Sequence, residues 1–443
     1  MAKKFGFLLL CLILLGATAQ AADIYVDAVN GDNARTTAEA QNPATPWKTI
    51  TYAAGGSSAG DTIHVASAYY LAATGESFPI NMTGRYFLST VTGLATIDSK
   101  TTAVNTITLG ANASLEGFTI NNAGGNYAVN MTGADSTLKN NRITVAGSTT
   151  GGRVYIAAGA DRCLLEGNNI IGGSSNLYTV ELASGADNPV IRNCTIESTY
   201  SNPSGTALLF SGNSVAPTVE GNTIISRKYG LYITGNSANL NVINNIVRAS
   251  VTTTYNGIEI RGTSTGLVAS NEVRGFDQAS GISINAAGVN VTVNKNTIVN
   301  NLNGVEISNG TVNIQNCIIS AAPQAGTYRA GSVGIKQSGG TVTSTYNDLF
   351  NNITNYSGTV GSQSNDISTN PRFVSISGND YRLYSDSPCK NTASDGGNRG
   401  AYAATDTTSG ITTESYVDDG GSDVTGDGTL GNPWRTVTKG LGS

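Results

Sequence analysis

A two-part phrase returns ten times between Thr106 and Asn347, and it restricts the folds open to this chain more than any other feature. Its first part alternates apolar and polar residues: TITL at Thr106, AVNM at Ala128, RVYI at Arg153, TVEL at Thr179, ALLF at Ala207, GLYI at Gly230, GIEI at Gly257, GISI at Gly281, GVEI at Gly304 and GIKQ at Gly334. Its second part centres on Asn-x-apolar at Asn141, Asn168, Asn222, Asn244, Asn271, Asn296, Asn316 and Asn347, with Phe118 and Cys194 holding that place in two repeats. A period of two is the mark of a strand with one buried face. Successive anchors lie 20 to 31 residues apart, too close for the four-stranded, roughly 40-residue blade of a propeller. A unit of two short strands cannot bury its apolar face alone, so the units must stack as coils of a solenoid.

Stacked coils repeat every ~4.8 Å, which would line the asparagines into a ladder of side-chain amides at an internal bend. The inward columns must then be apolar. Val180, Leu208, Leu231, Ile258, Ile282 and Val305 meet that need in one column, and Leu182, Phe210, Ile233, Ile260, Ile284 and Ile307 in the next. Between them runs an outward column of Thr108, Asn130, Tyr155, Glu181, Leu209, Tyr232, Glu259, Ser283, Glu306 and Lys336.

Composition agrees with β structure. Of 443 residues 54 are Gly, 39% are apolar and only 12% are charged, which disfavours long helices. Residues 1–21 have the layout of a secretory signal peptide, Lys3 and Lys4 preceding an apolar run and Ala19-Gln20-Ala21. The net charge is −5, or −7 once Lys3 and Lys4 leave with the leader, and no basic stripe exists to hold nucleic acid. No later run approaches the roughly 20 apolar residues of a membrane span. Cys163, Cys194, Cys317 and Cys389 remain in the exported chain; their wide spacing is not that of a metal site and favours buried thiols over disulfides.

Over residues 100–360 the pattern resembles the right-handed parallel β-helix of the pectate-lyase-like superfamily. The resemblance implies an all-β, single-stranded solenoid of ten or more coils. The opening IYVDAVNGDNARTTAEAQNPATPWKTITYAA, with Tyr25-Val26-Asp27, Gly31-Asp32 and Pro46-Trp47, is similar to the head of DUF1565-type β-helix proteins, and a short capping helix is expected around Trp47. NPRFVSISGNDYRLYSDSPCKNTASDGGNRGAYA, from Asn370, resembles the choice-of-anchor Q segment that would close the solenoid. Tyr416-Val417-Asp418 and Pro433-Trp434 then repeat the head. The expected organisation is a signal peptide at 1–21, a β-helix domain at 22–404 (head 22–100, coils 101–365, terminal segment 366–404), a linker at 405–413, and the truncated start of a second such unit at 414–443.

Chemistry would sit where the coils vary. The return from Asn to the next strand ranges from 8 to 18 residues, whereas the outward half is nearly constant, so variation gathers at one corner; the longest return is Asn316 to Gly334. Beside that corner Tyr232, Glu259, Arg261, Asn285, Glu306 and Lys336 form one expected ligand patch. Glu259, Glu306 and Lys336 are the catalytic candidates, the two carboxylates being two rungs, about 9.6 Å, apart at the backbone. Inverting glycosidases use roughly 6.5 to 9.5 Å. Any soluble sheet also needs an outward polar face, and on that reading Glu259 would tolerate replacement by Gln. Calcium is the one cofactor the sequence offers, at Asp418, Asp419, Asp423 and Asp427; turn formation accounts for the same residues. Asp27 and Asp32 offer the same choice. His64 has no second ligand.

Lyases of the superfamily gather acidic calcium ligands near a Lys or Arg base. Here Lys336 and Arg261 could serve as bases, but Glu181, Glu259 and Glu306 are spread out. The paired Asp, Gly-His-Gly and Arg-Ile-Lys of the polygalacturonase pattern do not occur in the coils. The leading expectation is therefore an exported or cell-surface protein that binds a polysaccharide or another surface without catalysis. A lyase or hydrolase of acidic glycans, and a structural spacer, are the alternatives.

Overall fold

The computed structural model describes residues 20–100, 104–122, 126–145, 153–173, 178–199, 205–322 and 329–408. The leader, the acidic tail with Asp418, Asp419, Asp423 and Asp427, and the middle of the Asn316–Gly334 return lie outside them. Each coil has three strands rather than the two the phrase suggests. Ile258–Ile260, Thr265–Ala269 and Glu272–Arg274 make one coil. Stacked in parallel, the described residues of the coils form a front sheet of 12 strands, a back sheet of 14 and a third sheet of 12.

The extra strand arises at the asparagine. The residue before it adopts the left-handed region, as at Asn140 (φ 53°), Gly167 (65°), Gly221 (64°), Asn244 (58°) and Ser270 (54°). Asn and Gly enter that region at low cost, so one residue bends the chain sharply and divides what reads as a single strand. The same bend corrects the ladder's membership. Asn244 and Asn316 are themselves the left-handed residues, and Asn245 and Cys317 occupy the interior places behind them.

Every hydrogen-bonding position of a ladder amide is used. Asn271 Nδ2 donates to Val242 O at 2.8 Å and to Asn296 Oδ1 at 3.0 Å, and its Oδ1 accepts from Asn245 N and Nδ2, each at 2.9 Å. At the far end Asp366 Oδ1 accepts from Asn347 N at 2.6 Å and takes the place of the next amide. The inward columns from Val180 to Val305 and from Leu182 to Ile307 are all fully buried. Cys163, Cys194, Cys317 and Cys389 are buried free thiols.

At the N-terminal end Trp47, Ile50 and Ala53 join the core, the last two on the expected short helix, Ile50–Gly56, which Thr49 caps. Asp27 and Asp32 serve turns: Asp27 accepts from Val29 N and Asn30, and Asp32 from Ala34 N. His64 bonds Asp23 at 2.8 Å and stacks on Tyr25. The back sheet's outward column alternates Glu116, Lys139, Glu166, Arg192 and Glu220, so no like charges meet across a rung.

Residues 366–408 run along the outer face of the third sheet. There Phe373, Tyr381, Leu383 and Cys389 bury Val299 and Ile318. Gly400 N donates to Asn316 O at 2.8 Å, Lys295 pairs with Asp395 at 2.6 Å, and Tyr402 bonds Glu272. Asp348 lies fully buried beneath this segment, with Cys389 Sγ at 3.0 Å and Thr369 N donating at 3.0 Å. Burial pushes its carboxyl up to about 7, against the hydrogen bonds and the charge of Arg399.

Because the folded value exceeds the unfolded one, the native state alone holds this proton between about pH 4 and pH 7. Asp348 therefore removes stability as pH rises through that window, by up to about 4 kcal/mol. Urea unfolding at pH 5 and pH 8 should show that Asp348→Asn gains relative to wild type at the higher pH. A difference that stays constant with pH would contradict the buried, protonated state.

Candidate functional site

Period-two alternation places Tyr155, Glu181, Leu209, Tyr232, Glu259, Ser283, Glu306 and Lys336 in one register line on the front sheet, and the strand pairing follows it rung by rung. Ser283 stands between Glu259 and Glu306. Position in the column does not decide exposure, however, and here the sequence expectation for Glu259 fails.

Glu259 points outward yet is only 1% exposed. Arg261, two residues on and on the same face, folds back so that its Nε donates to Glu259 Oε1. Asn256 Nδ2 donates to the other carboxylate oxygen at 2.9 Å, while Asn256 Oδ1 accepts from Ser280 N of the next coil at 2.8 Å. Rings close the rest of the surface. Tyr229 and Tyr232 stack at 4.2 Å, Tyr255 meets Tyr229 edge-on at 5.1 Å, and Arg261 Cζ lies 5.5 Å from the Tyr232 centroid. With a ring and a guanidinium against it, Tyr232 offers a ligand its edge and hydroxyl rather than an open face for stacking.

Lys228 completes the cluster from the corner, its Nζ 4.8 Å above the Tyr255 ring and 5.4 Å above Tyr229. Lys228, Asn256 and Tyr255 lie in the turns, outside the alternating strands. Their only sequence signal is that they flank the phrase in adjacent repeats. Burial and the charge of Arg261 pull the Lys228 ammonium below its ordinary value. Burial opposes the charge of Arg261 too, but the Glu259 carboxylate holds it above the usual arginine range. Burial and the Glu259 charge push Tyr229 up.

A second cluster surrounds Glu306. Lys336 pairs with it at 2.9 Å, Ser280 Oγ donates at 2.6 Å and Asn303 Nδ2 at 3.4 Å. Burial raises its carboxyl, but the Ser280 and Lys336 contacts together bring it below the usual value. Asn285 is exposed past the end of its strand and joins neither cluster. Two further tyrosines, Tyr127 and Tyr155, stack at 4.6 Å on earlier coils. At the opposite corner an open depression of about 400 Å³ is lined by Asp187, Asn213, Asn236 and Thr263 among others. No three His, Cys, Asp or Glu side chains come together as a metal site among the described residues.

Burial makes the Glu259–Arg261 pair asymmetric. Glu259→Gln leaves a half-exposed cation that water can solvate, at a cost of about 1–2 kcal/mol. Arg261→Gln leaves a buried carboxylate without its cation and should cost about 3 kcal/mol or more. In urea unfolding the double variant should be more stable than Arg261→Gln alone. Strict additivity would show that the two groups do not act as a pair.

Residues 90–247 match the family model described as right handed beta helix region. No curated protein matches the sequence. Similar solved structures include the Dettilon tailspike protein, 12% identical with a TM-score of 0.44 over 75% of this chain and 62% of that one. PfbA, a surface adhesin of Streptococcus pneumoniae, is 13% identical with a TM-score of 0.39, over 78% of this chain and 92% of the adhesin. The pectate lyase Pel9A is 14% identical with a TM-score of 0.40, over 88% and 98%. The chain thus spans less than two thirds of the tailspike, and these likenesses extend to the fold alone. With three parallel sheets continuous through the matched region, the chain is a right-handed parallel β-helix.

Proposed function

We propose that this is an exported, non-catalytic polysaccharide-binding protein whose front sheet is the binding surface. The observation that carries the reading is Glu259, a carboxylate 1% exposed on the outward face and spent on holding Arg261 at the surface. A buried ion pair is a weak stabilising device, often matched by apolar residues of the same volume. A coil that served only as a spacer gains little from one. Its use here is to orient a guanidinium among tyrosine hydroxyls, the mixture of planar and polar groups that recognises sugars.

The same bonding argues against the enzymatic alternative. A general acid must keep its proton at working pH, and Glu306 is held below the usual carboxylate range by Ser280 and Lys336, against burial. Arg261 is held above its usual range by Glu259, opposite to what a lyase base requires. Two carboxylates each engaged by a cation leave neither an acid nor a free base.

Affinity electrophoresis against a panel of plant, algal and bacterial polysaccharides, paired with assays for new reducing or unsaturated ends, tests this reading. Retardation by at least one polymer, abolished in a Tyr232→Ala/Arg261→Gln double variant and accompanied by no product, is the expected outcome. Product that disappears in Glu306→Gln would overturn it in favour of an enzyme. The absence of both binding and product across the panel would favour the spacer.

A further inference from the structure

The front-sheet cluster is charged unevenly. Glu259 neutralises Arg261, and Lys336 neutralises Glu306, but among the described residues no carboxylate forms a contact ion pair with Lys228, on which Glu259 acts only at longer range. Its position is nevertheless a defined one. The Lys228 main-chain N–H donates to Gly205 O of the preceding coil at 3.0 Å, its carbonyl accepts from Ser226 Oγ at 3.3 Å, and the ammonium rests on the Tyr255 and Tyr229 rings. Tyrosine faces attract a cation without neutralising it. The half-buried ammonium thus lacks an ion-pair partner of its own, and Arg261, a second cation at the Tyr229–Tyr232 stack, is near enough for its charge to act on Lys228.

We propose that Lys228 and Arg261 form an anion-recognition subsite, and that the polysaccharide bound by the front sheet carries carboxylate or sulfate groups. This rests on the polysaccharide reading above and adds the chemical class of the ligand. An anionic substituent reaching the Tyr229–Tyr232 stack meets the Lys228 ammonium from the corner and the guanidinium N–H groups that Arg261 does not give to Glu259. Such charge-assisted bonds are shorter and stronger than neutral ones. They also give Lys228 a direct counter-charge, where Glu259, bonded to Arg261, acts on it only at a distance and the two cations repel. The three rings, Tyr229, Tyr232 and Tyr255, cover part of this point and so strengthen its interactions with charge. The surrounding surface works against indiscriminate polyanion binding, because the chain as a whole is acidic, with a net charge of −5.

The test is titration calorimetry of the full chain with polygalacturonate, carboxyl-reduced polygalacturonate, dextran sulfate and unmodified dextran, with a DNA duplex as a polyanion of another class. At least one anionic polymer should bind tenfold or more tightly than its neutral counterpart, and weaken with added salt. The carboxylate and sulfate arms identify which anion is read. Lys228→Gln should lose at least fivefold in affinity while Lys228→Arg keeps most of it. Unchanged thermal unfolding would separate lost recognition from lost folding. Equal affinity for charged and neutral polymers, an unaffected Lys228→Gln, or equally tight binding of the duplex would overturn the anion subsite. In the first two cases the polysaccharide reading still stands. Binding to none of the polysaccharides, here or in the wider panel, would remove both.

Discussion

The fold depends on a buried amide being fully satisfied at each bend. Removing one Asn from water costs several kcal/mol unless its donors and acceptors are all met, and in this chain they are met largely by the coils above and below. Asn271 takes its partners from Asn245, Asn296 and Val242. The ladder therefore rewards one register and penalises every slip. Where the amide is replaced by Cys194 or Cys317 the site stays buried, and the main-chain N–H of Cys194 and of Cys317 still finds the next amide, Asn222 Oδ1 at 2.9 Å and Asn347 Oδ1 at 2.8 Å. Asp366 ends the series with a carboxylate in the same role.

Register fixed in this way at one corner also determines what stands on the opposite face. Tyr232, Glu259, Ser283 and Glu306 are consecutive rungs, and their spacing cannot relax without breaking the interior ladder. The surface can therefore hold charges in positions that a loop would not maintain: Arg261 against Tyr232, and Lys336 against Glu306. Turns that join the third sheet to the front sheet add the elements that differ between coils. Lys228 and Tyr255 come from such turns, so the coil supplies the platform and the corner supplies its individuality.

The inward and outward columns were legible in the sequence because a strand's period of two is a local property, and ten copies of it leave one consistent alignment. The third strand was hidden because its only marker is a change of backbone sign at one residue, Ser270 or Asn244, between stretches that both alternate. Where Asn stands twice, as at Asn244-Asn245, either residue fits the ladder by composition, and only the bend separates them. The burial of Glu259 was illegible for another reason. It depends on Arg261, its neighbour on the same face, turning back rather than reaching out, and on rings brought from Tyr229 and Tyr255 in turns that share no period with the strand. Lys228 was missed on the same ground.

The binding surface is formed before any ligand arrives. The most direct measurement is a pair of crystal structures, one free and one with an anionic oligosaccharide such as trigalacturonate. The expected result is a sugar carboxylate between Lys228 and Arg261, Glu259 still bonded to Arg261 in both states, and no shift in the front-sheet strands. A sugar seated instead in the depression among Asn213 and Asn236, or a Glu259 carboxylate released from Arg261 toward the scissile bond, would contradict it.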